Sequence, residues 1–209
     1  KVTKGVKMIG PSAHLDTFSR DNLPEESLQP DFLLDNFNYP SFLNVAEELT
    51  DVMVKKGFGD NIALIGNGRR RTYKELTDWT NRLANTLIED YGVQSGNRVL
   101  IRSANNPAMV ACWLAATKVG AVVVNTMPML RSRELEKIIN KAEITHALCD
   151  SRLLSELEFC MGSNKFLKHL IPFDGSANHA SVLDEAALEK SVKFDAIKTG
   201  RDDVALLGF

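Results

Sequence analysis

The sequence lacks the features that most often point directly to a function. Its three cysteines, Cys112, Cys149 and Cys160, include no C-x-x-C pair, and its four histidines show no metal-ligand spacing. No apolar run approaches the roughly 20 residues that a membrane span requires, and the first residues contain no apolar signal core. These absences argue against a disulfide framework, a zinc site and a membrane partner, and they favour a reducing, cytoplasmic setting.

A strong excess of one charge is absent as well. The 209 residues include 25 Lys and Arg against 27 Asp and Glu, which gives a formal net charge of −2. No global field therefore attracts nucleic acid or an anionic membrane surface. With 44% hydrophobic and 25% charged residues, the composition is typical of a globular protein with one large domain or two small ones.

Known catalytic and phosphate-binding motifs are missing too. The sequence has no G-x-G-x-x-G after a predicted strand, no P-loop motif ending in G-K-S/T, and no G-x-S-x-G. Gly66-Asn67-Gly68 looks like the start of a phosphate loop, but arginines and a strand follow it where a helix is required. We therefore assign no catalytic residue, no cofactor-binding residue and no metal ligand.

What the sequence does contain is one clear amphipathic helix that begins after Thr72. Thr72 and Glu75 have the spacing of a capping box, and Gly92 can adopt the left-handed conformation that ends a helix. Between them, apolar residues recur at steps of three and four and form one stripe. The stripe consists of Leu76, Trp79, Leu83, Leu87 and Tyr91, with Ala84 and Ile88 beside it. We predict that these residues serve packing.

Strands and helices alternate from about residue 60 onward. The predicted strands cover residues 62–65, 69–73, 98–102, 121–125, 145–149, 168–171 and 204–207. The predicted helices cover residues 45–56, 72–91, 107–118, 132–142, 151–161 and 180–192. Asn44 and Ser132 are predicted N-caps, and Leu49, Val52 and Met53 are predicted to face the core. This order predicts an α/β fold with a mostly parallel sheet flanked by helices.

Residues 1–43 differ from the rest of the chain. Four prolines in this stretch interrupt any long helix, and they are Pro11, Pro24, Pro30 and Pro40. We predict an irregular arm over residues 1–43 that lies on a folded body, and an α/β domain over residues 44–209.

Three consecutive arginines follow a strong hairpin signal. Asn67-Gly68 is typical of a two-residue hairpin turn, and Arg69, Arg70 and Arg71 come directly after it. The arginines either hold a phosphate or form the solvated side of an edge hairpin, where charge discourages pairing with other chains. The second interpretation is favoured, because most charge runs lie on solvated surface.

Several short stretches, in order and spacing, resemble the opening of the AMP-forming acyl-CoA synthetases, a branch of the adenylate-forming superfamily. They cover residues 72–76, 81–84, 92–93, 96–99, 105–107, 118–122 and 134–135, with a strand at 147–148. Two further stretches, at residues 11–18 and 20–24, resemble the start of 2-aminobenzoate-CoA ligases and their benzoate-CoA ligase relatives. The resemblance implies part of the large N-terminal domain of such an enzyme.

The resemblance also implies a reaction. Enzymes of this family activate a carboxylic acid with ATP and magnesium, form an acyl-adenylate and transfer the acyl group to CoA. Residues 202–207 resemble the strand that runs into the family's phosphate-binding loop. The expectation is therefore an N-terminal portion that ends just before that loop, with no ATP, magnesium or CoA bound and no activity of its own.

Three other expectations stay open from the sequence. The chain could be a non-catalytic α/β binding module, because a fold does not imply a function. It could instead belong to an adenylation domain that loads a carrier protein. If sheet neighbours are missing after Phe209, exposed apolar surface is expected to promote self-association into a homo-oligomer.

Overall fold

Five parallel strands form the centre of the described chain, which comprises residues 10–29, 39–176 and 181–209 of a computed structural model. The strands are β3 (Arg98–Arg102), β4 (Val122–Thr126), β5 (His146–Asp150), β6 (His169–Phe173) and β7 (Leu206–Leu207). Two earlier strands, β1 (Ile62–Gly66) and β2 (Arg69–Thr72), form a separate hairpin. Their spatial order is β6-β5-β3-β4-β7, and every neighbouring pair is parallel. Parallel neighbours need crossover connections, and helices supply them. The predicted α/β fold is confirmed.

Helices cover both faces of this sheet. They are α4 (Tyr73–Glu89), α5 (Pro107–Lys118), α6 (Ser132–Ala142), α7 (Leu154–Ser163) and α8 (Val182–Leu188). Side chains from α4, α5 and α8 form one core cluster with Val99 and Ile101, whereas α6 and α7 pack around Leu100 on the opposite face. β3 and β5 are therefore buried along their whole length, as strands covered by helices on both faces are. Among the described residues, no helix has the length and apolar character needed to cross a membrane.

The capping box that begins α4 is present as predicted. The Glu75 N–H donates to Thr72 Oγ1 over 3.2 Å, and the Thr72 N–H donates to Glu75 Oε2 over 2.8 Å. Gly92 has a φ of 65° after the helix ends. The predicted stripe packs inward except at its flank, where Ile88 is exposed. Propensity and packing thus agree along this helix.

The predicted hairpin is also confirmed. β1 (Ile62–Gly66) and β2 (Arg69–Thr72) pair antiparallel as a separate two-stranded sheet. Asn67 and Gly68 have φ values of 50° and 69°. A two-residue turn of this kind requires positive φ at both positions, which Asn and Gly tolerate best.

The single helix predicted over residues 45–56 is wrong. The chain forms α2 (Val45–Leu49), α3 (Asp51–Met53) and a π-helical turn (Val54–Phe58), with a break at Thr50. The Thr50 hydroxyl donates to Ala46 O over 2.6 Å, and this back-bond bends the chain. The break turns Leu49 outward, where it is 50% exposed. Asn44 does cap α2 as predicted, because its side chain accepts from two N–H groups.

The other corrections concern element ends. Ser132 is the first residue of α6 and not its cap, since the cap position belongs to Arg131, whose N–H donates to Glu134 Oε2. β7 and α8 are shorter than predicted, at Leu206–Leu207 and Val182–Leu188. The predicted start of that helix at residue 180 lies outside the described residues. Ends are set by hydrogen-bond partners elsewhere in the chain, which periodicity does not report.

The described part of the N-terminal arm lies on the body. It contains α1 (Phe18–Asp21) and a 3₁₀ turn at Glu26–Leu28. Backbone N–H groups of Leu15 and Asp16 donate to Ser95 O over 3.1 and 3.0 Å. Asp16 also accepts from the buried Arg98 guanidinium over 2.5 Å. A charged hydrogen bond of this kind anchors the arm at the start of the central strand.

Candidate functional site

The candidate site is a crevice at the carboxyl end of the parallel sheet. β3 and β4 are neighbours, and the helices that follow them, α5 and α6, lie on opposite faces. Open α/β sheets bind ligands where neighbouring connections diverge in this way. The crevice has a volume of about 460 Å³. Its lining residues are Ile101, Ser103, Ala104, Asn105, Met109, Asn125, Thr126, Met127 and Pro128.

The first wall of the crevice is the turn between β3 and α5. The Asn106 side chain caps α5 by accepting from the Met109 N–H over 2.9 Å. Its amide nitrogen donates to Ser103 Oγ and to Ala104 O, each over 2.9 Å. Pro107 occupies the first helical position, where its missing N–H costs nothing. One asparagine therefore fixes both the helix start and the shape of the wall.

The second wall is the loop after β4, which Arg102 holds in place. Arg102 is only 2% exposed. Its guanidinium donates to Met127 O over 3.2 Å and to the carbonyl oxygens of Pro128 and Leu130 over 2.8 Å each. A rigid planar fork of donors suits this arrangement better than a lysine does. The loop conformation thus depends on one buried side chain at the end of β3.

A buried carboxylate stands at the end of the next strand, β5. Asp150 is fully buried and accepts two hydrogen bonds from the Arg152 guanidinium, over 2.9 and 2.6 Å. Burial favours a raised pKa for Asp150, but the hydrogen bonds and charge of Arg152 outweigh it and lower the pKa. Gly175 must lack a side chain here, since a Cβ would lie 2.0 Å from Asp150 Oδ2. The Asp150 carboxylate therefore has a structural role beside the crevice, where it binds the Arg152 side chain.

Arg102 and Asp150 are site residues that were not predicted from the sequence. A local signal exists for both, because each is a charged residue that directly ends an apolar strand. Strand ends of a parallel sheet share one edge, so such residues gather there. What the signal does not show is the partner of each side chain.

The lining of the crevice limits its chemistry. It offers amides, hydroxyls, thioethers and backbone groups, and none of its side chains titrates near neutral pH. The three thiols are buried elsewhere, and burial raises the pKa of Cys149 to about 12 and of Cys160 to about 11. Neither thiol is a thiolate nucleophile at neutral pH. These walls can shape and orient a ligand, but they do not supply acid–base or nucleophilic groups.

The described residues contain no cluster of three or more His, Cys, Asp or Glu side chains that could hold a metal ion. The crevice lining likewise carries no carboxylate and no cation. Magnesium prefers carboxylates together with phosphate oxygens. The described part of this chain therefore does not fit a magnesium-nucleotide site by itself.

An apolar groove adjoins the crevice and shares Met109 and Asn125 with it. It lies between the hairpin, α4 and α5 and has a volume of about 430 Å³. Its other lining residues are Leu49, Ala63, Leu64, Tyr73, Leu76, Val110, Trp113 and Leu114. The exposed Leu49 thus lies at the edge of a surface whose other residues are also mostly apolar.

The three arginines of β2 differ in their surroundings, since one contacts an aromatic ring and two lie in solvent. Arg71 lies over the Trp79 ring at 4.4 Å, which is a cation–π contact. Arg69 and Arg70 are exposed on the hairpin. This placement agrees with the edge-hairpin interpretation, in which the charges lie in solvent.

A pair of stacked histidines lies at the opposite, amino end of the sheet. His146 and His169 have ring centroids 4.7 Å apart and nearly parallel planes. His146 is 5% exposed, and its Nε2 lies 2.9 Å from Tyr91 O. Because a carbonyl oxygen only accepts, Nε2 carries the proton in the neutral ring. Burial lowers the pKa of His146, and the neighbouring His169 lowers it further.

The buried, stacked His146 predicts that the folded protein is less stable in mild acid than at neutral pH. The unfolded chain binds a proton at His146 below its ordinary pKa of 6.5, while the folded chain resists protonation until a lower pH. The free energy of unfolding is therefore expected to fall as pH falls through about 6.5. Urea titrations at about pH 7.5 and about pH 5.5 measure it. The control is His146→Phe, which removes the ring at residue 146 and keeps His14. The pKa of His14 is also lowered, so its contribution is the same in both proteins. An equal loss in both would contradict the assignment to His146.

Comparison with curated proteins finds CoA ligases of several acids, and two of them are named for hydroxybenzoates. Over 97 residues the chain is 35% identical to the 3-hydroxybenzoate-CoA ligase of Aromatoleum sp. strain CIB, covering 46% of this chain and 18% of that protein. Over 112 residues it is 31% identical to the 3-hydroxybenzoate-CoA/4-hydroxybenzoate-CoA ligase of Thauera aromatica, covering 54% and 21%. The chain thus spans about a fifth of the length of these relatives.

Comparison with solved structures finds the same fold. The anthranilate CoA ligase AuaEII, in complex with anthranoyl-AMP, matches with a TM-score of 0.72 and 20% identity. The match covers 81% of this chain and 31% of that one. The model of the AMP-binding enzyme family matches residues 53–209. Since this match spans well over half of the sequence, the chain belongs to the AMP-binding enzyme family.

Proposed function

We propose that this chain is the N-terminal portion of an ATP-dependent, AMP-forming ligase that joins an aromatic carboxylic acid to CoA. The observation that carries the proposal is the family match over residues 53–209, together with relatives that are named as ligases of hydroxybenzoates. The proposed acid is 2-aminobenzoate or benzoate. Residues 11–24 support that choice through their resemblance to ligases of those acids.

The proposed reaction has two steps. The acid's carboxylate oxygen attacks the α-phosphorus of ATP, and the bond to pyrophosphate breaks. The CoA thiolate then attacks the carbonyl carbon of the acyl-adenylate, and AMP leaves. Both steps build charge that donors and cations must stabilise. The crevice of this chain supplies no cation and no titratable side chain, so we assign those roles to residues outside it.

Two further features belong to the proposal. We propose that residues 44–209 are an incomplete α/β domain and that β7 leads, in the whole enzyme, to the phosphate-binding loop. We also propose a cytoplasmic location. Three free, buried thiols support a reducing compartment, because disulfides form mainly in oxidising ones.

The isolated chain is expected to be inactive. When it is mixed with ATP, magnesium, CoA and 2-aminobenzoate, no aminobenzoyl-CoA is expected by liquid chromatography and mass spectrometry. The protein encoded by the full open reading frame is expected to form that product, and AMP with it. Product from the isolated chain would contradict the division of roles. Acyl transfer to a carrier-protein thiol, with none to CoA, would contradict the CoA ligase assignment.

A further inference from the structure

Besides its contacts with Ser95 and Arg98, the arm is attached to one short segment of the body, residues 199–203. Asp203 is the centre of this attachment, and its side chain is only 3% exposed. Its Oδ2 accepts from the Ala13 N–H over 3.1 Å and from the Gly200 N–H over 2.8 Å. Its Oδ1 accepts from the Ser12 hydroxyl and lies 3.6 Å from the Arg20 guanidinium. A single carboxylate thus joins the arm to the turn that contains it.

Close backbone approach adds to this attachment. A Cβ on Gly200 would lie 1.9 Å from Pro11 O, so the arm contacts this position directly. Gly200 does not have a positive φ, and the close approach alone therefore requires glycine there. Gly96 has a φ of 87°, and a Cβ on it would lie 2.1 Å from Asp16 O. The backbone of the arm thus contacts the body closely at two glycines, Gly96 and Gly200.

The same segment is bound on its other side as well. The Leu43 N–H donates to Thr199 O over 2.8 Å, and the Arg201 N–H donates to Ser41 O over 3.0 Å. Residues 199–203 are therefore held by two parts of the arm, residues 10–20 and residues 41–43. Removing residues 10–20 leaves only the attachment to residues 41–43.

This segment leads directly into β7. β7 contains only Leu206 and Leu207, which pair with Val123 and Val124 of β4, and the Val123 N–H donates to Ala205 O over 3.0 Å. A two-residue strand at a sheet edge has few hydrogen bonds of its own, so its stability is low unless flanking residues are fixed. The turn at Asp203 is the nearest fixed point.

We propose that Asp203 is a positioning residue: bound to the N-terminal arm, it fixes the turn at residues 200–203 and thereby places β7 against β4. The inference rests on the proposed function in one respect, since β7 is there the strand that leads to the phosphate-binding loop. The arm then acts on nucleotide binding from a distance, by holding the strand that carries this loop.

The first test uses this chain and needs no activity. Hydrogen exchange by NMR reports the Val123 amide, which Ala205 O directly before β7 protects, and the amides that join β3 to β5. In Gly200→Ala and in Asp203→Asn, exchange at Val123 is expected to accelerate about tenfold, while the β3–β5 amides change little. Gly162→Ala is the matched control, because nothing lies within 4 Å of its Cβ. Ser12→Ala removes one donor without a clash, and a smaller acceleration is expected.

Two results would overturn the placement of β7 by the arm. One is unchanged exchange at Val123 in both main variants. The other is an equal acceleration at Val123 and at the β3–β5 amides, because that pattern reports global unfolding and not a local release.

The second test uses the protein encoded by the full open reading frame. Asp203→Asn is expected to raise the KM for ATP several-fold and to leave the KM for the acid nearly unchanged. A lack of ligase activity in the unsubstituted protein would overturn the proposed function, while the exchange result would stand. Full activity with an unchanged KM for ATP, despite faster exchange at Val123, would overturn the effect of the arm on nucleotide binding and leave the placement of β7 intact.

Discussion

Replacing Asp51 by alanine is expected to lower the free energy of unfolding by about 3 kcal/mol. Asp51 Oδ2 accepts from Lys118 Nζ over 2.5 Å, and the lysine side chain is completely buried. Burial lowers the pKa of Lys118, and the hydrogen bond and charge of Asp51 oppose that shift. Without Asp51, Asn81 Oδ1 at 2.6 Å is the one hydrogen-bond partner left to the ammonium among the described residues. Chemical denaturation at neutral pH measures the loss.

A second substitution tests whether the loss of stability in Asp51→Ala comes from the unpaired, buried Lys118 ammonium or from the loss of the ion pair itself. Lys118→Met removes the ammonium and fills its space with an apolar chain, so the double variant Asp51→Ala with Lys118→Met is expected to be more stable than Asp51→Ala alone. Asp78→Ala is the surface control. Its partner Lys74 lies 3.0 Å away in solvent, and the expected loss is below about 1 kcal/mol. If the double variant were less stable than Asp51→Ala, the explanation by an unpaired, buried ammonium would be wrong.

Arg102→Met is expected to cost about 3 kcal/mol of stability and to release the wall of the crevice. The guanidinium is the donor to the carbonyl oxygens of Met127, Pro128 and Leu130. Each buried acceptor that loses its donor costs about 1–3 kcal/mol. The loop at residues 127–130 is therefore expected to move, which limited proteolysis and hydrogen exchange of that loop detect.

The control for this prediction is the same change on the surface. Arg133 is exposed on α6, and Arg133→Met is expected to shift stability by no more than about 0.5 kcal/mol. Arg102→Lys is expected to recover only part of the loss, because an ammonium does not present a planar fork to three carbonyls. Full recovery by lysine would show that charge alone, and not donor geometry, orders the loop.

Local patterns predicted the elements of the fold well, for identifiable reasons. The capping box at Thr72, the turn at Asn67-Gly68 and the apolar strand of residues 121–125 each depend on residues close together in sequence. Where the pattern failed, a distant or side-chain partner was responsible. Thr50 bends the predicted first helix through its own hydroxyl, and Glu156 takes up the Ser132 N–H.

The candidate site was predictable only in part. Asn105-Asn106-Pro107 marked the turn that forms one wall, and alternation of strands and helices placed that turn at the carboxyl end of the sheet. The roles of Arg102 and Asp150 were not predicted. Their partners are carbonyl oxygens and a neighbouring guanidinium, and neither kind of partner leaves a periodic pattern in sequence.

The sequence by itself determined the order of elements, their approximate bounds and the family, because each depends on short-range spacing. Only the tertiary structure decided which charges are buried and what each one holds. Lys118 meets Asp51 across 67 residues, and Asp203 meets Ala13 across 190. Such pairs form when packed elements exclude water, so their energies arise from the assembled fold and not from any stretch of chain.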